Sequence, residues 1–152
     1  MAKNTLSFTL RQEGVRETLA AFRGLPKEAS AQIRKQAGEI AEDLAVLIRA
    51  AGVKEGAQAA IVAKTVKRGF DRVPVVSAGG TKKIGSRKVP AWKLLFGSEF
   101  GSNRFTQFPR LHTGHDGIWI FPSIEENRAM IARRWQTAAD DTIRAFTSSG
   151  GE

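Results

Sequence analysis

The sequence predicts an α+β fold in which a small, mainly antiparallel sheet packs against a long amphipathic helix and a C-terminal helix. Two observations support this prediction. Apolar and polar residues alternate near the start, and two later stretches repeat their apolar residues at helical spacing. The 152 residues are the length of one domain. We therefore expect a single domain over residues 1–147, with a mobile basic loop near residues 78–90 and a flexible tail over residues 148–152.

The first two elements are short. Leu6, Phe8 and Leu10 alternate with polar residues, which predicts a strand with one buried face. The apolar row that starts at Val15 follows helical spacing, so we predict a short helix that stops at Gly24.

The strongest periodic signal follows this short helix. Pro26 suits a first helical turn, where its missing N–H has no partner to lose, and Gly52 suits a C-cap. The apolar stripe between them must rest on this chain's own sheet or on a neighbouring subunit. The stripe consists of Ile33, Ala37, Ile40, Ala41, Leu44, Leu47, Ile48 and Ala51.

The middle of the chain alternates short elements with a polar loop. Residues 55–66 favour a short helix, and the β-branched residues 72–77 favour a strand. We expect that strand to lie at a sheet edge, because Pro74 cannot donate to a ladder. Residues 78–88 are glycine-rich and basic, which is typical of a long loop or hairpin tip, and residues 91–96 suit one helical turn.

The last third predicts a strand followed by a long helix. Residues 118–121 are an apolar run of strand length. Ser123 and Glu126 have the spacing of a capping box, in which each side chain accepts from the other's backbone N–H. One helical face then carries Ile131, Trp135, Ala138, Ala139, Ile143 and Phe146.

Positive charge is concentrated in the middle third. The chain has 24 basic and 15 acidic residues, a net charge of +9, and residues 51–100 alone carry +7. Such a stripe attracts nucleic acid phosphates or an acidic partner subunit, and it also suits a merely solvated surface. The expected contact residues in the loop are Lys82, Lys83, Arg87 and Lys88.

Catalytic and metal-binding patterns are weak. The chain has no cysteine, and Ser98 stands one residue too early for a G-x-S-x-G nucleophile elbow. His112, His115 and Asp116 offer metal donors, but they lie in a glycine-bearing loop with no obvious fourth ligand. We therefore expect neither an enzyme, nor a bound metal, nor a cofactor. With no membrane-length apolar run and no signal peptide pattern, we expect synthesis in the cytoplasm and no membrane partner.

Phenylalanines crowd into a polar, glycine-rich stretch. Phe96, Phe100, Phe105 and Phe108 fall within thirteen residues, just after Trp92. Several must pack in the core, but exposed aromatics of this kind favour a protein–protein interface.

Two segments carry a family resemblance. Residues 96–109 read FGSEFGSNRFTQFP, and residues 119–124 read WIFPSI before the terminal helix. With Leu25-Pro26-Lys27 before the long helix, this pattern resembles the HK-ninety-seven gp-ten-like morphogenesis proteins of tailed siphophages, in the version found in actinobacterial phages and prophages. That group is related in role to the minor tail protein Z of lambda. The chain departs from many members in lacking an Ala-Pro-x-Asp-Thr-Gly segment after the long helix.

The resemblance implies a structural protein of the virion neck and tail top. Such proteins complete the tail and join it to the head as a ring around the DNA channel. We expect a homo-oligomer, preferably a hexamer, that contacts neck and tail-terminator or tail-tube proteins and also genomic DNA. Gly97 and Gly101 would permit a tight turn around Glu99, which would pair with an arginine of this chain or of a neighbouring subunit. The expected subunit-interface residues are Glu99, Phe100, Arg104, Phe105, Phe108 and Phe121. The alternative is a basic nucleic-acid-binding protein that uses residues 64–93.

Overall fold

The structure, a computed structural model, describes residues 5–11, 13–102, 104, 105, 107–109 and 117–149, and it confirms the α+β fold class. The strands are β1 (Thr5–Thr9), β2 (Lys67–Arg68), β3 (Val75–Gly79), β4 (Lys83–Ile84) and β5 (Val89–Pro90). The helices are α1 (Val15–Ala21), α2 (Lys27–Glu55), α3 (Ala57–Ala63), α4 (Ala91–Phe100) and α5 (Ile120–Ser149), with a 3₁₀ turn over Phe22–Gly24.

The main sheet has the order β1-β3-β2 and is antiparallel throughout. The predicted first strand is confirmed, and its Phe8 pairs with Val76 of β3. The expectation that Pro74 places its strand at an edge is wrong, because β3 begins one residue later and lies at the centre. Pro74 contributes only its carbonyl, which accepts the Leu10 N–H at 3.2 Å.

The basic loop contains a two-stranded hairpin. Strands β4 and β5 pair antiparallel, with Ile84 opposite Val89. The turn closes through the Lys88 N–H, which donates to the Gly85 carbonyl at 3.3 Å. The predicted hairpin tip is therefore confirmed, and it directly precedes α4.

Helix α2 rests its apolar stripe on this chain. It packs along α5, α3 and the sheet. The burial of each large aliphatic residue in the stripe contributes about 1.5–3 kcal/mol. The buried members of this size are Ile33, Ile40, Leu44 and Ile48. Leu47, which the sequence placed in the stripe, is instead 40% exposed.

The sequence predicted that Gly52 ends α2, but the helix continues past it. The helix continues to Glu55 and ends at Gly56, whose φ of 152° is accessible to glycine. A Cβ at Gly52 would come within 2.8 Å of both the Ala63 Cβ and the Trp119 ring. Gly52 therefore allows close packing inside the helix.

The start of α5 also differs from the prediction. The strand expected over residues 118–121 is absent, and α5 already begins at Ile120. The capping box is wrong, because the Ser123 N–H donates to the Trp119 carbonyl at 3.3 Å as part of the first helical turn. Further along, Trp135 is fully buried, and its Nε1 donates to the Arg72 carbonyl at 2.7 Å. Among the described residues, no helix is long and apolar enough to cross a membrane.

Candidate functional site

Helix α4 connects the hairpin to the start of α5. Its first two N–H groups are held by the hairpin region, since Ala91 donates to Lys82 at 2.8 Å and Trp92 donates to Gly80 at 3.0 Å. The helix runs for ten residues and ends at Gly101, which has a φ of 80°. The predicted single turn is therefore too short. The tight turn expected around Glu99 is wrong, because Glu99 lies in the last helical turn.

Glu99 caps the start of α5 by direct hydrogen bonds, although it belongs to a different helix. Its side chain is fully buried, Oε2 accepts the Trp119 and Ile120 N–H groups at 3.1 and 2.7 Å, and Oε1 accepts the Phe121 N–H at 3.0 Å. A carboxylate at this position supplies the acceptors that a helix start lacks and faces the positive end of its dipole. Glu99 is buried in the folded chain and forms no ion pair with an arginine among the described residues. Its subunit-interface role stays a prediction.

The Glu99 side chain is buried and tightly packed against its neighbours. Burial raises the pKa of Glu99 above its usual 4.5, against the opposing effect of the hydrogen bonds from the backbone of residues 118–121. A Cβ at Gly117, which has a φ of 130°, would overlap Oε1 of Glu99. Ser98 is also buried, and its hydroxyl donates to the Leu95 carbonyl and accepts from Trp119 Nε1. Both Ser98 and Glu99 are thus engaged in holding α4 against α5.

The opposite side of α4 forms a groove of about 560 Å³, which we call the aromatic groove. Phe96 and Phe105 are 45% and 50% exposed, whereas Phe100 and Phe108 are half-buried. The Phe96 and Phe100 rings stack with centroids 6.1 Å apart. Its walls include Leu94, Phe96, Phe100, Phe105 and Phe108.

The predicted aromatic interface residues have different surroundings. Phe105 is held outward in a short loop closed by the Ser102 N–H, which donates to Pro109 at 2.7 Å, and its ring lies under the exposed Arg104 guanidinium. Phe108 instead packs against Gly97, where a Cβ would lie 2.5 Å from the ring. Phe121 is half-buried beneath Phe100, with centroids 5.7 Å apart. Of the predicted interface residues, Arg104 and Phe105 are therefore the exposed ones.

The four predicted basic contact residues all lie exposed on or beside the hairpin. Arg87 borders both the aromatic groove and an adjoining groove of about 370 Å³. Lys82 borders a third groove of about 450 Å³ together with Lys64 and Lys67. Among the described residues, no acidic side chain lines any of the three grooves.

The stripe of residues 64–93 is not one continuous surface. Arg68 lies over the Phe70 ring at 5.4 Å, and its guanidinium is beside Gly38 of α2. Arg72 lines a separate groove beside α1. The sequence analysis could not separate these surfaces, because a count of charges along the chain does not show which face of the fold each residue occupies.

The candidate metal ligands His112, His115 and Asp116 lie outside the described residues. In the part of the chain that the structure describes, no group of three or more His, Cys, Asp and Glu residues could hold a metal ion.

Comparison of the chain with protein-family models, with curated proteins and with solved structures finds no match in any of the three. The functional assignment therefore depends on the residues themselves and on their geometry.

Proposed function

We propose that this chain is a structural virion protein of a tailed bacteriophage, which completes the tail and joins it to the head. It acts by assembling into a ring around the DNA channel. The observation that carries the proposal is the aromatic groove, where Phe96 and Phe105 remain about half exposed next to a basic hairpin. Clustered exposed aromatics mark protein–protein contacts, and the sequence resemblance supplies the setting in the virion.

A ring with head-to-tail contacts needs two different complementary patches on each subunit. The aromatic groove supplies one patch. The apolar stripe of α2, which the sequence suggested for the other, is buried against α5, α3 and the sheet. The outer face of α2 is the better choice, because Val46, Leu47 and Val53 are 52%, 40% and 66% exposed there.

The test replaces Phe105 with serine in the phage that encodes the chain. A matched control is Phe70→Ser, because Phe70 is 85% exposed, lies near an arginine as Phe105 does, and is outside the aromatic groove. We expect the Phe105→Ser protein to fold normally while free heads and free tails accumulate. Phe70→Ser should give intact particles. Normal head–tail joining by a Phe96→Ser, Phe105→Ser double variant would contradict the proposal.

A second candidate function is nucleic-acid binding through residues 64–93. It is favoured by the absence of acidic residues around the three grooves at the hairpin, as far as the structure describes their walls. This function predicts duplex binding that weakens steeply with salt. It also predicts loss of binding when Lys82, Lys83, Arg87 and Lys88 are neutralised.

A further inference from the structure

The fold brings four arginines, three from residues 11–23 and one at position 72, to one groove of about 380 Å³ beside α1. We call it the arginine groove, and its basic residues are Arg11, Arg16, Arg23 and Arg72. Three of them come from the first third of the chain, which has little net charge. The site was therefore invisible to a count of charge along the sequence.

Each of these arginines stands next to an anchored residue. Arg16 and Arg23 follow the buried Val15 and Phe22, and Arg72 precedes the buried Val73. Arg11 follows Leu10, whose N–H is bonded to Pro74. The core therefore sets the four Cα positions, which brings the arginine side chains to one groove.

Hydrogen bonds from α5 also hold the backbone of Arg72 and helix α1 in place. The Arg72 carbonyl accepts from Trp135, and Gln136 of α5 donates to Thr18 of α1 at 3.3 Å. Arg16 and Arg23 are seven residues apart, about two helical turns, and therefore project from similar faces of the α1 region.

The four positive charges are uncompensated within the described chain. None of these arginines forms an ion pair there, since the ion pairs found involve Arg49, Arg128, Arg134 and Arg144. The acidic residues nearby in sequence do not line the groove. Asp71 accepts the Arg72 backbone N–H, Asp140 accepts from Gln136, and the exposed Glu13 and Glu17 do not line the groove.

We propose that the arginine groove binds the phosphate backbone of a nucleic acid. Planar guanidinium groups match phosphate oxygens in pairs, whereas the exposed hairpin carries mostly lysine, which acts as a point charge. Four unpaired cations in so small a groove fit a ligand of high charge density, and duplex DNA carries one charge per 1.7 Å of axis. The apolar part of the lining, which includes Leu10 and Leu19, offers no hydrogen-bonding group to base edges, so we expect the arginines to make their main contacts with phosphates.

The test measures fluorescence anisotropy of a labelled DNA duplex with the purified chain at 50–200 mM salt. The groove variant is Arg11→Gln, Arg16→Gln, Arg23→Gln, and all three side chains are exposed. The matched control, Arg34→Gln, Lys35→Gln, Lys54→Gln, removes the same charge from the exposed surface of α2. Three lost phosphate contacts make the negative slope of log K against log salt shallower by about 2.7 and reduce the affinity at 0.1 M salt by about 500-fold. The control should keep the wild-type slope.

Several outcomes would overturn this site. They are absence of duplex binding by the wild-type chain at 50 mM salt, equal losses in the groove variant and the α2 control, and a loss only when Lys82, Lys83 and Lys88 of the hairpin are replaced by glutamine. Displacement of the duplex by poly-glutamate at equal charge concentration would identify the ligand as an acidic protein segment instead. The assay uses the isolated chain and leaves Phe105 intact, so its failure does not affect the assembly proposal.

Discussion

Replacement of Glu99 by alanine is the sharpest test of how the two helices are joined. The carboxylate accepts backbone N–H groups at the start of α5, and two of them belong to Trp119 and Ile120, which are 2% and 0% exposed. Alanine leaves these buried donors without their acceptor.

The expected loss follows from the number of stranded donors. A buried donor left without a partner costs about 1–3 kcal/mol, so the two most buried N–H groups alone cost about 2–6 kcal/mol. We expect Glu99→Ala to lower the free energy of unfolding by about 3–5 kcal/mol. That is a large share of the 5–15 kcal/mol typical of a folded domain.

Urea unfolding followed by circular dichroism measures this loss. With a slope of about 2 kcal/mol per molar urea, the midpoint should fall by roughly 2 M. Glu126→Ala is the matched control, because Glu126 is exposed and belongs to the capping box that the sequence predicted. It should change stability by less than about 0.5 kcal/mol. A loss below 1 kcal/mol in Glu99→Ala, or a loss in Glu126→Ala that exceeds the loss in Glu99→Ala, would refute the capping of α5 by Glu99.

The pH dependence of stability supplies a second measurement on Glu99. Because burial raises its pKa above 4.5, the folded chain holds that proton more tightly than the unfolded chain does. Its contribution is therefore complete below that ordinary value and decreases as pH rises through the raised pKa. The stability of wild type relative to Glu99→Gln, which does not titrate, should fall with rising pH and then level off. A relative stability that increases with pH would contradict the direction of the shift.

Two glycines give further predictions about packing inside helices. Gly52→Ala should destabilise by about 1–2 kcal/mol in urea unfolding, because the overlap with Ala63 and Trp119 outweighs the gain in helix propensity of about 1 kcal/mol. Gly97→Ala should displace the Phe108 ring and destabilise the fold, with a chemical shift change confined to the aromatic groove. Gly24→Ala is the control, since nothing lies within 4 Å of its added Cβ, and neutral behaviour of Gly52→Ala or Gly97→Ala would count against the close contacts.

Local periodicity was enough to predict much of the fold. The alternation around Phe8 gives β1, and the repeat from Ile33 to Ile48 gives most of α2, because each pattern reflects one buried face. The short helix α3 and the basic hairpin also follow from nearby residues.

The sequence predictions were wrong where a residue distant in sequence determines the local structure. The start of α5 is set by Glu99, about twenty positions earlier, so the local Ser123–Glu126 spacing was misleading. Gly52 and Gly97 look like turn residues in sequence, yet they serve close helix packing. The exposed Phe105 was found from composition, whereas the arginine groove required the tertiary fold.

Cryo-electron microscopy of tailed particles purified from the source of this chain tests the proposed role in head–tail joining most directly. The proposal predicts symmetric copies of this fold in a ring between head and tail, with the aromatic groove around Phe96 and Phe105 covered by a neighbouring protein. Particles with an intact head–tail junction and no copy of the chain would contradict it.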